Sequence, residues 1–148
     1  MEKPTLDPCL LEYNNILRDN DSVYRSAAKK LNIPESTLWI LYSFRAESRP
    51  ITQSYMCSLL HQPKQTVNTA LKQLEAQGCI SLCAGGDRRT KEISLTEKGE
   101  ALAQITADKI IAAEEQAFED MSPQEKETLL ALLKKFNQLL RQASEKLL

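Results

Sequence analysis

The stretch ITQSYMCSLLHQPKQTVNTALKQLEAQGCISLCAGGDRRTKEISLTEKGE, residues 51–100, decides the fold. It begins with Thr52, a good N-cap, and a short helix to residue 60 whose inward side is Tyr55, Met56, Leu59 and Leu60. The turn His61-Gln62-Pro63 follows. A second helix then spans 63–77, with Val67, Ala70, Leu71 and Leu74 along one face. Gly78 stops it, since a residue after a helix end often adopts positive φ. The period then changes from helical to alternating. Residues 79–84 read as a strand with Ile80 and Leu82 on one face, Gly85-Gly86-Asp87 as a turn, and 90–95 as a returning strand with Ile93 and Leu95 inward. Short helix, turn, polar-faced helix and β-hairpin make a winged helix-turn-helix.

The flanks read as helices. Residues 10–31 carry Leu10, Tyr13, Ile16, Leu17, Tyr24, Ala27, Ala28 and Leu31 at three- and four-residue steps, with a bend expected at the polar run 19–22. Asn32-Ile33-Pro34-Glu35 opens the next helix, which is apolar nearly all round from Leu38 to Phe44 and so should be buried, and Arg49-Pro50 ends it. Thr96 caps one long helix over 97–118. Ser122-Pro123-Gln124-Glu125 is a capping box, and the last helix carries a stripe of Leu129, Leu132, Leu133, Phe136, Leu139, Leu140, Ala143 and Leu147. The fold class is therefore mostly α with one small β-hairpin. The expected organisation is an N-terminal helix over 1–31, a winged helix-turn-helix over 32–98 and C-terminal helices over 99–148, the first and last forming a helical dimerisation lobe.

Composition narrows the function. The chain has 148 residues, 42% of them apolar and 26% charged, with 4 Gly, which excludes disordered and collagen-like classes. No apolar run reaches the roughly 20 residues of a membrane span, and the N-terminus lacks the pattern of a signal peptide, so a cytoplasmic location and no membrane partner are expected. Cys9, Cys57, Cys79 and Cys83 form no C-x-x-C pair and there is one His, so neither a metal nor another cofactor is expected. Phosphate-binding, nucleophile-elbow and zinc-protease motifs are absent, which argues against an enzyme. Charge is uneven. Residues 49–99 hold 7 basic and 4 acidic groups, net +3, while residues 1–48 are net −1 and residues 100–148 net −3. A local basic surface on a nearly neutral chain suits phosphate binding.

The chemistry of the second helix fits double-stranded DNA. Its apolar face seats it, while Lys64, Gln65, Thr66, Asn68 and Thr69 offer hydrogen-bonding groups to base edges at its N-terminal turns, and Lys72 reaches a phosphate. At the hairpin tip, Arg88, Arg89 and Lys91 suit the narrow minor groove, with Asp87 pairing and aiming an arginine. The uncovered leucine stripe of the last helix implies a partner surface, and so a homodimer.

The strings QTVNTALKQLEAQGCI, DRRTK and ISLTEKG, within residues 31–100, resemble the winged-helix core of the MarR family of bacterial regulators. The chain departs from the family pattern at Gly78-Cys79-Ile80 and lacks an arginine often found in the first wing strand. The resemblance implies a homodimeric regulator of transcription, expected to be a repressor, reading a pseudo-palindromic operator and releasing it when a small-molecule effector binds. Candidate effector residues are Tyr13, Tyr24, Trp39, Tyr42 and His61. Cys9, four residues before Tyr13, resembles the arrangement of the hydroperoxide-sensing branch and opens an alternative, a thiol-based redox regulator; Cys57, Cys79 and Cys83 read as packing residues. A further alternative is a winged-helix module for protein–protein contact without DNA.

Overall fold

The structure is a computed structural model and describes residues 1–83 and 90–148. It divides into two compact units, 1–110 and 111–148. In the first, α1 spans Pro8–Lys30, α2 Glu35–Ala46, α3 Gln53–Leu60, α4 Lys64–Ala76 and α5 Glu97–Ile105, and α6, Ala107–Glu119, begins there. The strands are β1 (Ile51–Thr52), β2 (Ile80–Leu82) and β3 (Glu92–Leu95). The second unit holds the rest of α6 and α7, Pro123–Leu147.

Several starts are set by local chemistry. Asp7 caps α1 by accepting the Cys9 N–H at 2.7 Å, and Pro8 fills a first-turn position where no intrahelical partner exists for its missing N–H. Thr52 caps α3 through the Tyr55 N–H, and Thr96 caps α5 through the Gly99 N–H, both at 3.1 Å. The capping box at α7 is complete: Ser122 Oγ accepts the Glu125 N–H, and the Glu125 carboxylate accepts the Ser122 N–H.

Two packed clusters form the core of the first unit. One joins Ile40, Ile51, Met56, Val67, Ala70, Leu71, Leu74, Cys79, Ile80 and Ile93, so α4 is seated by its whole apolar face. The other joins Ala28, Leu38, Leu41, Ala103, Ala107 and Ile110, tying α1 and α2 to α5 and the start of α6. α2 is buried on two sides because it contributes Ile40 to one cluster and Leu38 and Leu41 to the other.

The structure corrects five sequence expectations. α1 runs unbroken through 19–22, where Ser22 Oγ donates to the Asp19 carbonyl within the helix. α2 ends at Ala46, before Arg49-Pro50. The sheet has three strands, in the order β1–β3–β2, with Ile51 opposite Ile93 and Ile80 opposite Leu95. The expected helix over 97–118 is two helices, because Thr106 leaves helical geometry at φ −126°, ψ −86°. Its buried hydroxyl donates to the Leu102 carbonyl at 2.7 Å. Finally, Cys83 is exposed, whereas Cys79 is buried and Cys57 half-buried.

Candidate nucleic-acid interface

α4 is divided sharply along its length. Val67 and Leu74 are 0% and 1% exposed, and Ala70 and Leu71 are also buried. Lys64, Gln65, Thr66, Thr69 and Lys72 are all exposed. The helix begins after Pro63 with no side-chain cap and no acidic residue in its first turn. Its first N–H groups thus keep their positive partial charge, which favours a phosphate. Gln65, Thr66, Thr69 and Gln73 of α4 line a groove of about 450 Å³ together with Ser36, Pro63 and Ala70. Thr69 also donates its hydroxyl to the Gln65 carbonyl at 2.8 Å, which fixes its rotamer and leaves the oxygen lone pairs and methyl to face outward contacts.

Asn68 stands apart from its neighbours. It is half-buried and turned toward α3. Its Oδ1 accepts Gln53 Nε2 at 2.8 Å and the Cys57 thiol at 3.6 Å. Sequence reasoning did not single out Gln53. The signal for it was its place directly after the Thr52 cap, at the first turn of α3.

A second set of bonds holds the far end of α4 in place. Thr96 Oγ1 donates to the Gly78 carbonyl at 2.5 Å, Lys98 Nζ to the Gln77 carbonyl at 2.7 Å, and the Thr96 N–H to the Cys79 carbonyl at 3.0 Å. The string Thr96-Glu97-Lys98-Gly99 therefore bolts the start of α5 onto the junction between α4 and β2. Gly78, at φ +75°, makes the turn.

Of the hairpin-tip candidates, Lys91 is half-buried beside the start of β3. Asp87, Arg88 and Arg89 lie outside the described residues.

Three of the effector candidates come together. The Tyr24 ring lies 4.8 Å from that of Trp39, centroid to centroid, and Trp39 lies 5.4 Å from Tyr42 edge-on, a tilted row between α1 and α2. The Trp39 indole N–H donates to Glu35 at 3.4 Å. Glu35 in turn borders a concavity of about 420 Å³ lined also by Arg25, Lys29 and Asn32. Tyr13 is half-buried, separately along α1. His61 is exposed at the C-terminal end of α3, in left-handed backbone at φ 51°. Cys9 is exposed in the first turn of α1, one turn from Tyr13 on the same helix.

No helix among the described residues is long and apolar enough to cross a membrane, and no group of His, Cys, Asp or Glu there could hold a metal ion.

Comparison with known proteins agrees with this architecture. The model of the MarR family matches residues 32–90. An uncharacterized HTH-type transcriptional regulator of Bacillus subtilis, YwoH, is 31% identical over 104 residues, 70% of this chain and 75% of that protein. Among solved structures, the MarR family regulator NMB1585 of Neisseria meningitidis superposes with a TM-score of 0.81 at 23% identity, over 95% of this chain and 99% of that one. S. aureus MepR, solved as a complex with DNA, superposes with a TM-score of 0.70 at 24% identity, over 86% and 96%. With 31% identity across three quarters of one relative, a family match that spans α2 to β2, and the same fold along nearly the whole chain, this protein belongs to the MarR family of winged helix-turn-helix transcriptional regulators.

Proposed function

We propose that the chain is a sequence-specific repressor that binds a pseudo-palindromic operator as a homodimer and leaves it when a small-molecule effector binds. The observation that carries the reading is the division of α4. Its apolar side is locked in the core, while Lys64, Gln65, Thr66, Thr69 and Lys72 stand together on the open side. In this reading Lys64, Gln65, Thr66, Asn68 and Thr69 meet base edges, Lys72 holds a phosphate, and Arg88, Arg89 and Lys91, with Asp87 aiming an arginine, enter the minor groove. The leucines of α7, none of them buried within the chain, supply the dimer surface. The test is selection of bound sequences from a random duplex pool. An inverted repeat with half-sites about one helical turn apart is the expected result. Recovery of no enriched sequence overturns it.

For the effector, the concavity lined by Arg25, Lys29 and Glu35, linked to the aromatic row by the Trp39–Glu35 bond, is the place this reading assigns to a small aromatic compound. Trp39 is the only tryptophan, so its fluorescence should shift on titration with such a compound, at concentrations that also release DNA. A second reading, thiol sensing, is favoured by the exposure of Cys9 one turn from Tyr13. In that case peroxide should release DNA from the wild-type chain and leave Cys9→Ser bound.

A further inference from the structure

Gln53 sits where three constraints meet. It follows Thr52, which caps α3 and pairs across the sheet with Glu92, so its backbone is fixed by both the helix and the strand. Cys57 lies one turn further along α3, on the same face. Both residues donate to one atom, Asn68 Oδ1 on α4, at 2.8 Å and 3.6 Å. An amide oxygen has two lone pairs, and here both are used. What Asn68 can still offer is its NH2 group, a donor on each hydrogen.

That changes what Asn68 can read. An asparagine with both halves of its amide available matches adenine, donating to N7 and accepting from the N6 amino group. An asparagine restricted to donating matches guanine, whose N7 and O6 are adjacent acceptors. It gains nothing from the adenine amino group, because the oxygen that would accept it is already held. From this geometry, and resting on the DNA-reading role proposed above, we infer that Gln53 is a specificity-determining residue: by holding Asn68 Oδ1 it makes Asn68 a donor-only reader and directs it to guanine.

Gln53 acts through Asn68 and is a positioning residue, so the test must read base preference rather than overall affinity. The measurement is a base-by-base binding profile of the full chain, Asn68→Ala, Gln53→Met and Gln53→Glu, with thermal unfolding of each recorded. Asn68→Ala identifies the position that Asn68 reads, as the one whose preference it erases. There the wild-type chain should favour guanine over adenine. Gln53→Met, which keeps the length but cannot donate, should move that ratio toward adenine by about ten-fold. Gln53→Glu cannot donate either and can accept from the Asn68 NH2, so it should move the ratio the same way, and it carries the comparison if Gln53→Met folds poorly. An adenine preference in the wild-type chain overturns the inference. So does a guanine-to-adenine ratio unchanged in both Gln53 variants, or an Asn68→Ala profile identical to wild type. A wild-type profile with no base preference anywhere overturns the DNA-reading role itself, a failure distinct from a wild-type motif that ignores Gln53.

Discussion

Gly99 is required by a contact, not by a turn. A Cβ built there would stand 1.9 Å from the Cys79 carbonyl oxygen. That oxygen is already fixed as the acceptor of the Thr96 N–H, and Thr96 in turn accepts the Gly99 N–H and donates to Gly78. Neither side can withdraw without undoing the α5 cap or the bolt at the end of α4. Gly99→Ala should therefore cost about 2–3 kcal/mol, the upper part of the roughly 1–3 kcal/mol range of forced overpacking, and lower the Tm by several degrees. Gly78 is the control. It lies at φ +75° with nothing within 4 Å of a built Cβ, so Gly78→Ala meets only left-handed strain of roughly 1–2 kcal/mol. Chemical denaturation of both variants should rank Gly99→Ala as the more damaging, and the reverse order would refute the contact argument. The sequence showed the Thr96 cap and the stop at Gly78, because both are local signals. It could not show why Gly99 is glycine, since the clashing atom belongs to a residue distant in the chain. Asn68 has the same character: its spacing placed it with the outward residues, and only the approach of α3 turns its oxygen inward.

At the scale of elements, one helix start and one helix end carry the clearest pH and charge behaviour. Hydrogen bonds from the Ser122 backbone, and then its side chain, hold the Glu125 carboxyl below the ordinary carboxylate value. A lowered folded-state pKa means stability that is present above the unfolded value, about 4.3, and is lost as pH falls through the lower folded value. The stability gap between wild type and Glu125→Gln, which does not titrate, should accordingly shrink on acidification below pH 4. A gap that stays constant from pH 7 to pH 3 would rule out the ionised capping box. The other case is Arg45 at the end of α2. It makes a two-point contact with Asp108 of α6, at 2.8 and 3.2 Å, and bonds Glu100 of α5, so it spans the break at Thr106. Those bonds, to Asp108 first and Glu100 second, raise its pKa further above the ordinary arginine value. The side chains are 22%, 39% and 48% exposed, which weakens the attraction. Arg45→Met should cost about 1 kcal/mol, less in high salt, with a matching coupling to Asp108→Asn in a double-mutant cycle. The break itself was not legible. Residues 97–118 contain no proline and no internal glycine beyond the first turn, so periodicity runs straight through Thr106. Strand β1, of two residues, is too short to show any alternation.

For the molecule as a whole, the question is what covers α7. Leu132 is 60% exposed, Leu139 53% and Leu140 52%, and no residue of the helix is buried within the chain. Burying one leucine side chain is worth roughly 1.5–3 kcal/mol, so several along one stripe provide ample drive for association. Leu132 and Leu139 are two turns apart on nearly the same line of the helix, which makes them the natural pair to charge. Light scattering of the wild-type chain at micromolar concentration should give twice the 16.7 kDa chain mass. The Leu132→Glu, Leu139→Glu double variant should give the single-chain mass. The helix of the variant should persist, because both residues face outward in the single chain and glutamate is a good helix former. DNA binding then supplies the second readout. Two half-sites held by one dimer bind with an avidity that a single winged helix lacks, so operator affinity in the double variant should fall by about a hundred-fold or more. Half-site affinity should hardly change, since α4 is seated by a core that these substitutions do not touch. A wild-type mass of 16.7 kDa would end the dimeric reading. A double variant that keeps both the dimer mass and the operator affinity would instead place the interface elsewhere than the α7 stripe.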